Sequence, residues 1–307
     1  MTYPRAVRIR EVGPRDGIQS EKADVSTGDK IKLIDALSAS GLRYIEAISI
    51  VSPKAIPQMA DAREVWAGID RADGVFYSAL VPNRKGAEIA TELGVDGLQV
   101  FIAASDSYNL KNVRKTTEES FTDVEAVVSV AVEAGIPVEG TISTAFGCPY
   151  EGDIPPSKVV DVSRKMNDLD IATISYGDTT GMGTPRRVQE LIAALRDALP
   201  QLTLNMHFHD TRGTGLANVL AALDQGVEYF DASIGGMGGS PFAEGATGNI
   251  ATEDLVHMLA DMQIETGVDL ETLLGAGRVA QSFIKGELPS KVLKAGPRSV
   301  VAGPVAR

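Results

Sequence analysis

Eight short apolar runs recur along the chain, each followed by a longer stretch whose apolar residues keep helical spacing. The runs are Val7–Gly13, Tyr44–Ser49, Val75–Val81, Leu98–Ala104, Val138–Thr144, Thr173–Asp178, Leu204–Asp210 and Tyr229–Gly236. Each is strand-sized, and most are rich in β-branched or aromatic residues, which predicts β-strands. Between them, Ile31, Ile34 and Leu37 fall on one helical face, with Ser26 and Asp29 as start signals and Gly41 as a stop. Val124, Val127, Val128 and Ala131 repeat the pattern, ended by Gly135 and Pro137. Leu191, Ile192 and Leu195 stripe a helix opened by Pro185 and closed by Pro200. Further helices are expected around Asp254–Met262 and Leu270–Phe283.

Strands alternating with helices imply parallel pairing and right-handed crossovers. Eight such units in roughly 250 residues match a closed (β/α)8 barrel. The expected fold is therefore an α/β TIM barrel with extra C-terminal helices. One domain is expected over residues 1–307, with a flexible tail from about 296 to 307. A doubly wound open sheet is the other architecture considered. Against it, Glu11-Val12-Gly13-Pro14-Arg15-Asp16-Gly17 carries charge where a dinucleotide-binding turn needs glycine.

Composition narrows the function classes. The formal charge of -12 and pI near 4.8 argue against non-specific nucleic-acid binding, which depends on clustered cations. No apolar run approaches the roughly 20 residues of a membrane span. Met1 to Arg10 carries charge with no apolar stretch behind it, so no secretory signal is expected. Cys148 is the single cysteine, so no intrachain disulfide can form. A cytoplasmic protein acting on a small molecule, without nucleic-acid or membrane partners, is the resulting expectation.

In a barrel of this kind chemistry gathers at the C-terminal ends of the strands. The polar residues there are Arg15 and Asp16 after strand one, Glu46 inside strand two, Asp178 ending strand six, and His207-Phe208-His209-Asp210 in strand seven. Residues two apart on a strand face one side, so the two imidazoles project together. Such a pair suits either a metal ion or a mutual hydrogen bond, and Asp16 at another strand end favours the ion. A structural zinc site is disfavoured, because its further cysteines are absent. Arg15 would set a fixed cation beside the metal, suited to a developing oxyanion, or else form a rim salt bridge. Glu46 in a nearly apolar strand needs a partner, and Arg15 is the candidate. The glycine-dense Gly235–Gly239 stretch suits an anion cradle or a lid, although such turns are commonly only turns. Cys148 reads as a packed residue rather than a nucleophile, and His257 as a surface or packing histidine.

Glu11–Gln19, Val51-Ser52-Pro53-Lys54, Pro57-Gln58-Met59, Gly147–Gly152, Gly177-Asp178-Thr179, His207–Asp210 and Gly245–Asn249 together resemble the 3-hydroxy-3-methylglutaryl-CoA lyase family, in consistent order from about Val7 to Ser290. The resemblance implies a divalent metal, Mg or Mn, on Asp16, His207, His209 and Asn249. It also implies a CoA thioester substrate cleaved to acetyl-CoA and a 3-oxo acid, with Arg15, Asp16, Glu46, Asp178 and His207 in the catalytic pocket, and a homo-oligomer, dimer or tetramer. Ser240 stands where these lyases carry a loop cysteine for proton transfer, and a hydroxyl exchanges protons near neutrality far less readily than a thiol. That departure leaves open a citramalyl-CoA or another branched 3-hydroxyacyl-CoA as substrate. A Claisen-type synthase joining acetyl-CoA to a 2-oxo acid stays as the alternative reaction, and a barrel that only binds is the non-enzymatic one. For the CoA moiety, Lys22, Asn112 and Arg114 are the candidate contacts, with Lys54, Lys111 and Lys115 nearby in strand-end loops.

Overall fold

The computed structural model describes residues 3–21, 24–239 and 248–298. Eight parallel strands close on themselves in chain order: β1 Arg8–Glu11, β2 Tyr44–Ser49, β3 Phe76–Leu80, β4 Gly97–Ala103, β5 Val138–Ser143, β6 Thr173–Asp178, β7 Thr203–Phe208 and β8 Tyr229–Ala232. β1 pairs with β8 from Arg8 opposite Tyr229 to Glu11 opposite Ala232, which seals the barrel. The expected barrel is therefore the observed one. Strand one is shorter than its apolar run, because the chain leaves the sheet after Glu11 and tightens into a π-helical turn over Gly13–Gly17. There the amides of Arg15, Asp16 and Gly17 all converge on the carbonyl of Val12.

The helices form where capping chemistry starts and stops them. Helix α1 (Thr27–Ser38) opens on Ser26, whose hydroxyl accepts from the amide of Asp29. It stops before Gly41, which turns the chain with φ +89°. After α2 (Ala62–Gly68) and α3 (Arg84–Leu93), a short α4 (Asp106–Val113) precedes α5 (Thr117–Ala134). A Thr116–Glu119 capping box begins α5, and Gly135 in the left-handed region ends it. α6 (Pro156–Asn167), α7 (Pro185–Ala198) and α8 (Gly215–Asp224) complete the ring. Beyond β8 come α9 (Thr252–Asp261), α10 (Leu270–Phe283) and a short α11 (Lys291–Ala295).

Helix α10 packs on α1 and α9, which closes the seam between the chain's two ends. Asp254 on α9 accepts from the Ser290 hydroxyl at 2.9 Å and from the amides of Lys291 and Val292 at 3.0 and 2.7 Å. The start of the expected tail is held rather than loose: Arg298 bonds Asp261 at 2.6 Å and its amide donates to His257 at 3.2 Å. Residues 299–307 of that tail lie outside the described residues.

The barrel interior is not wholly apolar. Arg8 is sandwiched between the rings of Tyr44 and Tyr229 at the N-terminal end. Above it lies a buried polar layer made by Arg10, Gln99, Glu139, Ser175, Asn205 and Asp231, cross-linked by hydrogen bonds. The apolar core surrounds this layer, between sheet and helices.

Candidate active site

At the C-terminal end of the barrel a cavity of about 710 Å³ opens between the strand-end loops. Its floor carries Arg15, Asp16, His207 and His209, and its walls include Val51, Ile56, Leu80, Phe101, Tyr108, Thr141, Ser143 and Thr179. The π-helical turn after β1 delivers Arg15 and Asp16, while the alternation of β7 brings His207 and the following His209 to the same side. Asn249 arrives from a distant part of the chain. The amide of Asp210 donates to the Gly248 carbonyl and that of Ile250 to Phe208, so residue 249 lies against the end of β7.

These side chains meet. Nε2 of His207 lies 3.1 Å from Nε2 of His209, and Oδ2 of Asp16 lies 3.9 and 4.0 Å from the two nitrogens. Octahedral donors about 2.1 Å from one ion stand roughly 3 Å apart when adjacent and roughly 4 Å apart when opposite, so the spacing suits a shared cation. Asn249 donates to Asp16 Oδ2 at 2.8 Å and to the Met237 carbonyl at 3.1 Å. Its own Oδ1 is buried without a hydrogen-bond partner, a state that native proteins seldom tolerate. Two imidazole nitrogens, a carboxylate and an orphaned amide oxygen form a donor set for Mg, Mn or Zn. Burial pushes the Asp16 carboxyl up, but Arg15, His207, His209 and the Asn249 amide outweigh it and hold the group down to about 2. The carboxylate is therefore charged at any working pH.

Arg15 is fixed from two sides. Its Nε and Nη2 donate to Glu46 Oε2 at 2.8 and 2.6 Å, and Nη1 donates to Asp16 Oδ1 at 2.8 Å. The partnership expected for Glu46 is thus present, and it places Glu46 behind the arginine, outside the cavity lining. Three of the five guanidinium N–H bonds are committed, so two stay available to an oxygen in the cavity. Burial alone would lower the Arg15 pKa, but Glu46 and Asp16 raise it.

Other expected residues stand elsewhere. Asp178 does not line the cavity. Strand alternation puts Ser175 and Gly177 inward, so Asp178 faces the helix layer, where Oδ1 accepts from the amides of Met182 and Gly183 at 2.7 and 2.9 Å. Burial lifts its pKa to about 6 against those two hydrogen bonds. Its place is a loop anchor, which corrects the expected position in the pocket. Asn112 lines the cavity, whereas Arg114 does not. Arg114 ends α4 with φ +61° at an exposed position, where the chain turns into α5, which corrects its expected contact with CoA. Lys54 is exposed and off the cavity, Lys111 lies 4.2 Å from the centre of the Tyr150 ring, and Lys115 pairs with Asp123 at 2.5 Å. Lys22, Ser240 and Gly245–Thr247 lie outside the described residues. Cys148 is fully buried with its Sγ 2.9 Å from Ser105 Oγ, a packed residue.

Three buried acids escaped the reading of the sequence. Asp231 bonds His207 Nδ1 at 3.2 Å. Glu11 accepts from the amides of Gly13 and Ile234, both at 2.8 Å, and from the Thr252 hydroxyl at 2.7 Å. Glu253 accepts from the amide of Gly235. For Asp231 a signal existed, since it is the one carboxylate inside the nearly apolar strand Tyr229–Ala232 and there needs a partner. Glu11 and Glu253 offered none, because only the closed barrel brings them under the glycine-rich turn.

The site has counterparts among known proteins. The family model described as HMGL-like matches residues 6–279. The mitochondrial hydroxymethylglutaryl-CoA lyase of Macaca fascicularis is 48% identical over 294 residues, covering 96% of this chain and 90% of the relative. The Bacillus subtilis hydroxymethylglutaryl-CoA lyase is 46% identical over 294 residues, covering 96% and 98%. Among solved structures, an HMG-CoA lyase from Acinetobacter baumannii in complex with coenzyme A and 3-methylmalate superposes with a TM-score of 0.94 at 41% identity, covering all of both chains. A match of this extent in sequence, spanning the whole barrel, makes the chain a member of the HMGL-like family.

Proposed function

We propose that this protein is a divalent-metal-dependent carbon–carbon lyase that cleaves 3-hydroxy-3-methylglutaryl-CoA to acetyl-CoA and acetoacetate. The observation that carries the reading is the convergence of Asp16, His207, His209 and the partnerless Asn249 oxygen beside a fixed arginine, in a cavity large enough for an acyl chain. A bound Mg or Mn would act as Lewis acid and template for the substrate's carbonyl and hydroxyl oxygens.

The chain's own groups account for the rest. As the C2–C3 bond breaks, the hydroxyl proton leaves, C3 becomes the acetoacetate carbonyl, and the bonding pair passes to the acetyl thioester as an enolate. Arg15, with two N–H bonds uncommitted and its plane pinned by Glu46 and Asp16, holds that charge without reorganising. Among the described residues, neither Glu46, taken up by Arg15, nor Asp178, turned away, offers a free carboxylate at the floor. With both nitrogens of His207 committed, the hydroxyl proton goes to solvent in the cavity, and protonation of the acetyl carbon falls to Ser240 or a water molecule it directs. Asn112, which lines the cavity, and Lys22 are the contacts proposed for CoA. A single buried cysteine gives no disulfide to gain from an oxidising compartment, which supports the cytoplasm as its place. A homo-oligomer is the assembly the family resemblance favours.

A second substrate reading has a specific support: the Acinetobacter baumannii relative is in complex with coenzyme A and 3-methylmalate, and Ser240 departs from the cysteine that the family resemblance implies. Branched 3-hydroxyacyl-CoA thioesters such as citramalyl-CoA therefore belong in the assay. Purified protein is incubated with a panel of these thioesters, with and without Mg or Mn, and acetyl-CoA is followed. Metal-dependent cleavage of 3-hydroxy-3-methylglutaryl-CoA is expected; cleavage of citramalyl-CoA alone would move the substrate, and condensation without cleavage would overturn the lyase reading. Ser240→Cys is expected to raise turnover, and an unchanged rate would remove position 240 from the proton path.

A further inference from the structure

His207 has two ring nitrogens and can offer only one to a metal ion. Which one is free depends on where the ring carries its proton, and that is set by the partner of the other nitrogen. Here Nε2 faces His209 and Asp16, while Nδ1 lies 3.2 Å from Oδ2 of Asp231, one layer deeper in the barrel. The register of the sheet places this contact: His207 on β7 stands directly opposite Asp231 on β8, and Asp231 stands directly opposite Arg10 on β1.

Asp231 is held with little freedom to turn. Arg10 grips both of its oxygens, Nε to Oδ1 at 2.8 Å and Nη2 to Oδ2 at 2.9 Å. Asn205 donates to Oδ1 at 2.7 Å and Ser175 donates to Oδ2 at 2.8 Å. Arg10 is itself fixed by Glu139 at 2.7 Å, and Gln99 braces Glu139 at 3.0 Å. Asp231 is 2% exposed, so water does not compete for it. Every neighbour of this carboxylate points a donor at it. An ionised acid surrounded by donors can only accept, so the fifth hydrogen bond, to His207 Nδ1, must also come from an N–H.

We propose that Asp231 is a positioning residue that locks His207 in the Nδ1–H tautomer and so presents the Nε2 lone pair to the ion, with Arg10, Asn205 and Ser175 holding Asp231 in place. This inference rests on the metal-centre reading of the site and deepens it. The lyase pocket then continues downward as a relay from Gln99 through Glu139, Arg10 and Asp231 to His207, so that the barrel interior is part of the site.

The substitution Asp231→Asn tests the idea because it keeps the shape and reverses one polarity. Arg10 points one donor at each oxygen, so the amide NH₂ meets it on either side. On the Oδ2 side both Ser175 and His207 can accept instead of donating, whereas on the Oδ1 side only Asn205 can, by flipping its amide. The amide NH₂ therefore turns to the Oδ2 side, His207 accepts at Nδ1, and its proton moves to Nε2, where it blocks the ion.

The chain contains only three histidines, so ¹⁵N-histidine spectra resolve them, with His207 assigned by comparison with His209→Gln and His257→Gln. In metal-free, alkaline buffer the wild-type His207 is expected to carry its proton on Nδ1, and Asp231→Asn to move it to Nε2. Mn²⁺ titration followed by electron paramagnetic resonance is expected to show affinity weakened by about 10- to 100-fold in the variant, with the far-ultraviolet circular dichroism unchanged. A wild-type His207 protonated on Nε2, or a folded variant that binds Mn²⁺ as tightly as the wild type, would overturn the proposal. If Asp231→Asn does not fold, the wild-type spectrum alone decides. A wild-type protein that binds no Mn²⁺ while keeping the Nδ1–H tautomer would instead sink the metal-centre reading and leave the Asp231–His207 orientation standing.

Discussion

At the scale of single residues, the arrangement around Arg15 separates charge from geometry. A lysine at this position would keep the charge, but it has no planar fork to span Glu46 and Asp16 and still address the cavity. Arg15→Lys is expected to lower kcat by about 10²- to 10³-fold, with little change in KM, as for loss of an oxyanion donor; steady-state kinetics with saturating Mg checks this, and a kcat within a factor of two or three of wild type, on the order of nothing by that standard, would remove Arg15 from the charge-stabilising role. Asp178 offers the opposite lesson. Its sequence position, at a strand end beside Gly177 and Thr179, is what a pocket acid looks like from sequence alone. Strand alternation turned it outward, where its carboxylate binds two loop amides. Whether a strand's last residue points in or out depends on a register that one residue of slip reverses, and the apolar run ending at Asp178 did not fix it.

Among the elements, the strand-end turns carry more of the site than the strands do. The turn over Gly13–Gly17, the glycines after β8 and the start of α9 are stitched by Glu11, a buried acid with three donors. Burial pushes Glu11 up to about 7 despite those bonds, and pushes Glu253, beneath Gly235, up to about 8. A carboxyl whose folded pKa is raised gives stability that is fully present below its unfolded value near 4.5 and is lost as pH rises through the folded value. The metal-free protein is therefore expected to lose denaturation midpoint steadily between pH 4.5 and 8, and Glu11→Gln to flatten the part below pH 7. Urea melts across this window check it, and a midpoint that rises with pH would contradict it. Gly248 is a second such point. A Cβ there would lie 2.2 Å from the Gly236 carbonyl oxygen and 2.7 Å from the backbone of Met237, both main-chain atoms with little room to yield. Gly248→Ala is expected to displace Asn249 and cut Mn²⁺ affinity at least about tenfold while the barrel's circular dichroism persists; unchanged affinity would show that Asn249 does not depend on this crossing. The apolar runs predicted all eight strands because each strand is buried by barrel and helices together. They did not predict the turns, whose conformations are set by distant acids.

The whole molecule explains what one sequence could and could not disclose. Alternation of strand and helix made the barrel legible, and its known polarity pointed to the strand ends, so Asp16, His207 and His209 were found before any contact was visible. Asn249 came from family resemblance, since nothing in its local sequence marks a ligand; only the pairing of residues 248–250 against β7 brings it there. The interior layer of Arg10, Gln99, Glu139, Ser175, Asn205 and Asp231 was invisible for a related reason. Its members sit on β1, β4, β5, β6, β7 and β8, and closing the sheet is what makes them neighbours. A chain of formal charge -12 that acts on an anionic thioester needs local positive charge at the reacting end, and the account supplies it with one ion and one arginine. The most direct measurement is anomalous X-ray scattering from crystals grown with Mn²⁺. The account predicts one strong peak per chain, within bonding reach of Asp16, His207 Nε2, His209 Nε2 and Asn249 Oδ1. Crystals saturated with Mn²⁺ in which the two imidazoles still face each other with no peak between them, or in which the ion sits elsewhere, would contradict it.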